Sequence, residues 1–192
     1  MWPVTAVIGE NGGLCFRYDT AAGATQRCYW AEEKTTKHQF ARLTALGAEI
    51  VSALPGAEIA HDQRYRETTL AFRNDDPIAA ERIVAHLVAA GARTTQNSIW
   101  VLGWFGGFDK LAMTRRILAE WVATDIERDA ESCLYVGDSP NDEPMFGFFG
   151  NSVGVAGVRD YLDRLATPPK WITQGGGGLG FVEVAEALLR AL

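Results

Sequence analysis

The apolar positions of this chain follow two rhythms, short runs of strand length and longer stripes at helical spacing, which alternate from end to end. Residues 4–8 are an apolar run that stops at Glu10-Asn11-Gly12-Gly13, a turn whose asparagine and glycines accept positive φ. Residues 14–18 and 26–30, parted by small residues, predict a hairpin. Residues 31–54 predict a helical region from the spacing of Phe40, Leu43 and Leu46, with Gly47 as a candidate interruption and Pro55-Gly56 as the stop. Residues 64–72 predict a strand. Asp76-Pro77 opens a helix whose apolar face is Ile83, Val84, Leu87 and Val88 and which ends at Gly91. Residues 93–95 and 98–104 predict two further strands.

Past that point the pattern changes to strands separated by helices. Asp109 is placed to cap a helix with Met113, Ile117, Leu118, Trp121 and Val122 on its buried stripe. Residues 133–136 form a short apolar run that predicts a buried strand ended by Gly137. Ser139 then suits an N-cap and Pro140 a first helical turn. Residues 152–156 predict a last core strand, 159–165 a helix and 171–173 a short strand or extended segment. The glycines at 175–178 predict a hinge or loop, since they lack the lysine and hydroxyl of a P-loop. Phe181, Val184, Ala185, Leu188 and Leu189 give the stripe of a closing helix.

A chain of 192 residues can bury a sizeable core as one domain or two small ones. Its net charge of −6 and lack of any basic run argue against a nucleic-acid surface. No apolar segment approaches the length of a membrane span. Met1-Trp2-Pro3 runs straight into a strand pattern, so no signal peptide is expected. The three cysteines have no metal spacing. Cys15 and Cys28 could face each other on the hairpin, but free buried thiols and a cytoplasmic location are the expectation. His38, His61 and His86 are scattered, which argues against zinc.

The candidate chemistry lies just after the 133–136 strand. Ligands in open α/β sheets gather beyond the carboxyl ends of strands, where Asp138 and Asp142 fall with Asn141 between them. Two carboxylates on one tight turn are hard oxygen ligands suited to Mg²⁺, and the plain alternative is a capped turn with solvated acids. Lys110 sits in the first turn of its helix, an awkward place for a cation beside the partial positive charge of a helix N-terminus. An anion bound there by the ammonium and the helix end together would explain it.

The stretch Gly137-Asp138-Ser139-Pro140-Asn141-Asp142-Glu143-Pro144-Met145-Phe146 resembles the fourth motif of the haloacid dehalogenase superfamily of phosphatases, most of all the members with a large α/β cap. Phe108-Asp109-Lys110 resembles the family's lysine motif, with Leu111 where glycine is usual. Val7 to Gly13 resembles the strand and turn through which the capped members leave their core. The resemblance implies an α/β fold, a Rossmann-like core at 1–30 and 106–192 interrupted by a cap at 31–105. It also implies a Mg²⁺-dependent hydrolase of a sugar phosphate or other small phosphorylated metabolite, working through an aspartyl-phosphate. On that carry-over Asp138 ligates the metal, Asp142 helps hold the metal site or orients Lys110, Asn141 contacts the phosphate, and Lys110 binds the transferring phosphoryl group. Arg64, Arg66, Trp104 and Phe105 would then select the substrate, with cap packing and surface charge as the equal alternative.

The family's Asp-x-Asp nucleophile pair has no counterpart in this sequence. The chain therefore reads as a core whose first strands are missing, cut from a longer protein or completed from elsewhere, and inactive alone. The other function class is a non-catalytic remnant that binds a ligand or partner. A different α/β fold of response-regulator type leaves the cap-like insertion without a place. With two core strands missing, the strand before Glu10 and the strand before Asp138 cannot pair, so poor solubility or rearrangement is expected.

Overall fold

A computed structural model of the chain describes residues 4–97 and 99–191. The Met1-Trp2-Pro3 reading and the first residue of the strand expected over 98–104 lie outside the described residues. The chain forms two compact units, 1–117 and 118–192.

The first unit opens with an antiparallel sheet of β1 (Val7–Gly9), β2 (Leu14–Asp19) and β3 (Ala24–Tyr29), with β2 in the middle. The expected 4–8 strand begins three residues late, because only Val7, Ile8 and Gly9 find partners, opposite Phe16, Cys15 and Leu14. The hairpin register sets Cys15 opposite Cys28, with 5.3 Å between their Cα atoms, and the two form a disulfide. The expected free thiols are corrected accordingly, and Cys133 alone is free among the described cysteines.

The same unit carries an α/β layer. Helix α1 (Glu33–Ala53) and α2 (Pro77–Ala89) pack on an antiparallel sheet of β4 (Leu70–Arg73), β5 (Arg93–Gln96) and β6 (Trp100–Trp104), in the order β4-β6-β5. Leu70 pairs with Gly103 on the helix-covered face. A Cβ on Gly47 would stand 3.1 Å from Leu70, and one on Gly103 would stand 2.8 Å from Leu87. Gly47 therefore admits close helix–sheet packing inside α1 and does not interrupt it. Leu43, Ile50, Leu70, Phe72, Ile83, Leu87 and Val101 form the core of this layer. Helix α3 (Lys110–Val122) follows, with Met113 and Ile117 buried.

The strand expected over 64–72 is confined to β4, and Gln63–Tyr65 is a single 3-10 turn. The reason is where the backbone donors go. The Glu10 carboxylate accepts the N–H groups of Glu67, Thr68 and Thr69, each at 2.8 Å, and the Thr68 and Thr69 hydroxyls at 2.8 and 3.1 Å. Those N–H groups are thus satisfied by a side chain and need no neighbouring strand. Glu10 does this from a left-handed backbone, φ 48°, followed by Asn11 at 60° and Gly12 at 105°. A non-glycine residue in that region costs about 1 kcal/mol, which five charge-assisted bonds outweigh. Gly12 and Gly13 complete the seat: a Cβ on Gly12 would lie 2.3 Å from the Asp109 carbonyl oxygen, and one on Gly13 would lie 2.1 Å from Thr68 Oγ1.

The second unit is built on a parallel sheet of β7 (Leu134–Gly137), β8 (Asn151–Gly154) and β9 (Trp171–Ile172), in that order. Before it comes α4 (Ile126–Asp129), capped by Asp125. A 3-10 turn at Pro140–Asp142 and α5 (Glu143–Phe148) connect β7 to β8, and a 3-10 helix at Ala156–Arg164 follows β8. Helix α6 (Gly177–Ala191) closes the unit and takes in two of the four glycines expected to form a loop. Its expected stripe is corrected: Gly180 and Val184 are buried, whereas Phe181, Leu188 and Leu189 are exposed. Gly180 sets the contact, since a Cβ there would stand 2.3 Å from the Gly175 carbonyl oxygen. An apolar groove of about 340 Å³ remains beside the helix, lined by Leu134, Val153, Trp171, Ile172 and Leu188 among others. Among the described residues, β7 pairs on one side only, and β1 and β7 belong to different sheets.

The Glu10 contacts predict the effect of Glu10→Ala. Leaving three backbone N–H groups without their acceptor is expected to lower stability by about 3 kcal/mol, measured by urea unfolding. A loss below about 0.5 kcal/mol would show that water replaces the carboxylate at no cost.

Candidate functional site

The turn after β7 is organised by Asp142. Strand β7 carries Tyr135 toward Phe146 and Phe149, with ring centroids at 5.7 and 6.0 Å. Its hydroxyl donates to Asp142 Oδ1 at 2.6 Å. Asp142 Oδ2 accepts the N–H of Asp138 at 2.9 Å and that of Ser139 at 3.2 Å, closing a capping box over the Pro140–Asp142 turn. Asp142 is 3% exposed and Ser139 4%. Gly137 leaves the room this needs, because a Cβ there would stand 2.8 Å from the Asp142 carboxyl group. Burial, and next the Asp142 carboxylate beside it, push the Tyr135 phenol well above its ordinary pKa, so it stays a hydrogen-bond donor.

These contacts separate the two aspartates. The carboxylate of Asp142 is turned inward to a hydroxyl and two backbone donors. The Asp138 side chain is exposed at the carboxyl end of β7, and takes no hydrogen bond or ion pair among the described residues. Asn141 Oδ1 accepts from Ser139 Oγ at 2.8 Å, which assigns its side-chain nitrogen as the end able to donate to an anion. Ser139 caps the turn, and Pro140 occupies its first position, as the sequence led us to expect.

Lys110 lies in the other unit, as the first residue of α3. Asp109 caps that helix, its Oδ1 accepting from Ala112 N at 2.8 Å, and its Oδ2 meets Arg93 at 3.5 Å. The carbonyl of Phe108 accepts from Arg93 and from Trp104 Nε1, both at 3.0 Å. The start of α3 is therefore pinned by β5 and β6 and seated against Gly12.

Of the four side chains considered for substrate selection, three are committed to packing. Trp104 is buried against Phe108, and Phe105 is buried under the Arg42 guanidinium at 4.0 Å. Arg66 is largely covered and paired with Asp62 at 2.9 Å. Arg64 lies over the exposed ring of Tyr65 at 4.7 Å.

The donor set decides which ion these residues fit. Among the described residues, no group of three or more His, Cys, Asp and Glu side chains is arranged to hold a metal. Mg²⁺ retains most of its waters and needs one or two protein carboxylates, so the open Asp138 carboxylate fits it. Sequence reading passed over Tyr135 and took Gly137 only as the end of the strand and part of the motif. Their signals were a hydroxyl inside an apolar run and a glycine five residues before the second acid of the turn.

No protein-family model matches the chain. A phosphoglycolate phosphatase of Methanosarcina mazei is 25% identical over 187 residues, which is 95% of this chain and 72% of the relative. Among solved structures, a Thermoplasma acidophilum protein matches with a TM-score of 0.63 at 20% identity, over 93% of this chain and 70% of that one. The sucrose-phosphatase of Synechocystis, solved with sucrose and phosphate, matches with a TM-score of 0.66 at 12% identity, over 95% and 73%. The fold is that of the haloacid dehalogenase phosphatases. The chain is similar to a phosphatase across nearly its whole length.

If Gly137 exists to admit the Asp142 carboxyl group, Gly137→Ala should displace it. The expected cost is about 2 kcal/mol in urea unfolding, accompanied by shifted amide resonances for Asp138 and Ser139. Unchanged resonances at both positions would remove Gly137 from the account.

Proposed function

We propose that this chain serves Mg²⁺-dependent phosphomonoester hydrolysis, with Asp138 as a metal ligand and Asn141 and Lys110 as phosphate contacts. Asp142 holds the turn that carries the metal ligand. The observation behind this reading is the division of labour on the turn: one carboxylate is consumed by backbone donors, and the other stands open at a strand end. A bound Mg²⁺ would supply positive charge against the phosphoryl oxygens. The Lys110 ammonium, at the positive end of α3, is suited to a phosphoryl anion.

The α/β layer within 31–105 is the cap of this reading, with the core at 1–30 and 106–192. The substrate class is a small phosphorylated metabolite, a sugar phosphate included. Support comes from the relatives' names, which attach phosphate to a small organic acid in one case and to a sugar in the other. Arg64 is the one candidate selector whose charge remains exposed at the surface of the layer.

The 192 residues contain no Asp-x-Asp pair, so the reading expects metal and phosphate binding without turnover from these residues alone. The same observation favours a second reading, a ligand-binding protein of phosphatase ancestry. Titrations with Mg²⁺ and with inorganic phosphate, alongside an assay on p-nitrophenyl phosphate, test both. Asp138→Asn should abolish Mg²⁺ binding. Lys110→Ala should weaken phosphate binding about tenfold and leave Mg²⁺ binding in place. Mg²⁺ binding that survives Asp138→Asn would contradict the site. Mg²⁺-dependent hydrolysis by the unmodified chain would contradict binding without turnover and place a nucleophile among these residues.

A further inference from the structure

Three side chains stand in series at the end of β7: a partly buried tyrosine, a buried aspartate, and the exposed aspartate whose backbone the buried one holds. We propose that Tyr135 is a positioning residue for the metal-binding turn, acting through Asp142 on the backbone of Asp138 and Ser139. The inference rests on the Asp138 reading above and adds to it a residue outside the motif that carries that reading.

The geometry gives the tyrosine a task that packing alone does not. A carboxylate has two oxygens, and each could rotate toward either neighbour. The Tyr135 hydroxyl, 2.6 Å from Oδ1, fixes that oxygen. Rotation about the Cβ–Cγ bond is thereby blocked, and Oδ2 is left facing the N–H groups of Asp138 and Ser139. Those two N–H groups determine the direction in which the chain leaves β7, and so where the Asp138 carboxylate points. The ring itself is held by Phe146 edge-on and Phe149 in a stack, so the hydroxyl has little freedom to follow a displaced aspartate. Groups hydrogen-bonded to a metal ligand commonly change metal affinity about ten- to a hundred-fold when removed, and Tyr135 stands one hydrogen bond further out, so the lower end of that range applies.

Removing the hydroxyl alone is the direct test, since phenylalanine keeps the ring and its packing. Amide hydrogen exchange at Asp138 and Ser139 would be measured in metal-free buffer for the unmodified protein, Tyr135→Phe, Asp142→Asn and the double variant. Mg²⁺ would then be titrated while the same amides are followed. In Tyr135→Phe, exchange at both amides should rise about tenfold, and Mg²⁺ affinity should fall about tenfold, while the Leu134 and Val136 amides stay protected. In the Asp142→Asn background, Tyr135→Phe should add nothing, because the path runs through that carboxylate. Unchanged exchange in Tyr135→Phe, an undiminished Mg²⁺ affinity, or full additivity in the double variant would each overturn the proposal. If the unmodified protein takes up no Mg²⁺, the metal reading of Asp138 fails, and the exchange data still decide whether Tyr135 orders the turn.

Discussion

A carboxylate that gathers backbone N–H groups is the interaction on which both loops of interest depend. Loops lack a neighbouring strand or helical turn to take up their donors, and a donor buried without an acceptor is expensive. This chain meets that constraint twice in the same way. Glu10 collects three consecutive N–H groups at the approach to β4, and Asp142 collects two at the exit from β7. In each case a glycine beside the carboxylate makes room: Gly12 and Gly13 follow Glu10, and Gly137 faces Asp142. The first arrangement fixes the approach to the α/β layer and seats Gly12 on the Asp109 carbonyl. The second shapes the turn that exposes Asp138.

The consequence for chemistry is that two acids of one motif take different parts. Two carboxylates left open on a tight turn would repel each other without a cation. Donating two N–H groups and a hydroxyl to one of them keeps it turned inward, and leaves the other available. On the proposed reading, metal affinity depends as much on the inward acid as on the outward one. The lysine on α3 follows the same logic in reverse, because Asp109 caps the helix and the cation comes directly after it. On the proposed reading, a position unfavourable for a surface lysine suits a group that shares an anion with the helix end.

Much of the layer within 31–105 was legible from its apolar pattern, because a helix such as α2 buries one face, Ile83 and Leu87, while β4 and β6 are apolar runs buried almost throughout. The cap at Asp109 and the turn at Ser139-Pro140 were legible from residue type and position. The first half of the 64–72 strand was not, since nothing local announces that Glu10, more than fifty residues earlier, takes its donors. The disulfide was misjudged on cysteine count, which weighs compartment and ignores the register that sets Cys15 opposite Cys28. On α6 the apolar residues surround most of the helix, so composition could not say which edge packs; the close approach at Gly180 decides it. At the candidate site the acids were visible in the motif, while their unequal surroundings were not, because those depend on where a partly buried tyrosine points its hydroxyl.

The central claim is that Asp138 is free to bind Mg²⁺ because Asp142 is held away from it. A crystal structure of the chain grown with Mg²⁺ and a phosphate analogue such as vanadate tests this most directly. The account predicts a metal on the Asp138 carboxylate, with Asp142 still accepting the N–H groups of Asp138 and Ser139 and the hydroxyl of Tyr135. A metal bound by the Asp142 carboxylate with those three hydrogen bonds broken, or one bound away from Asp138 altogether, would contradict it.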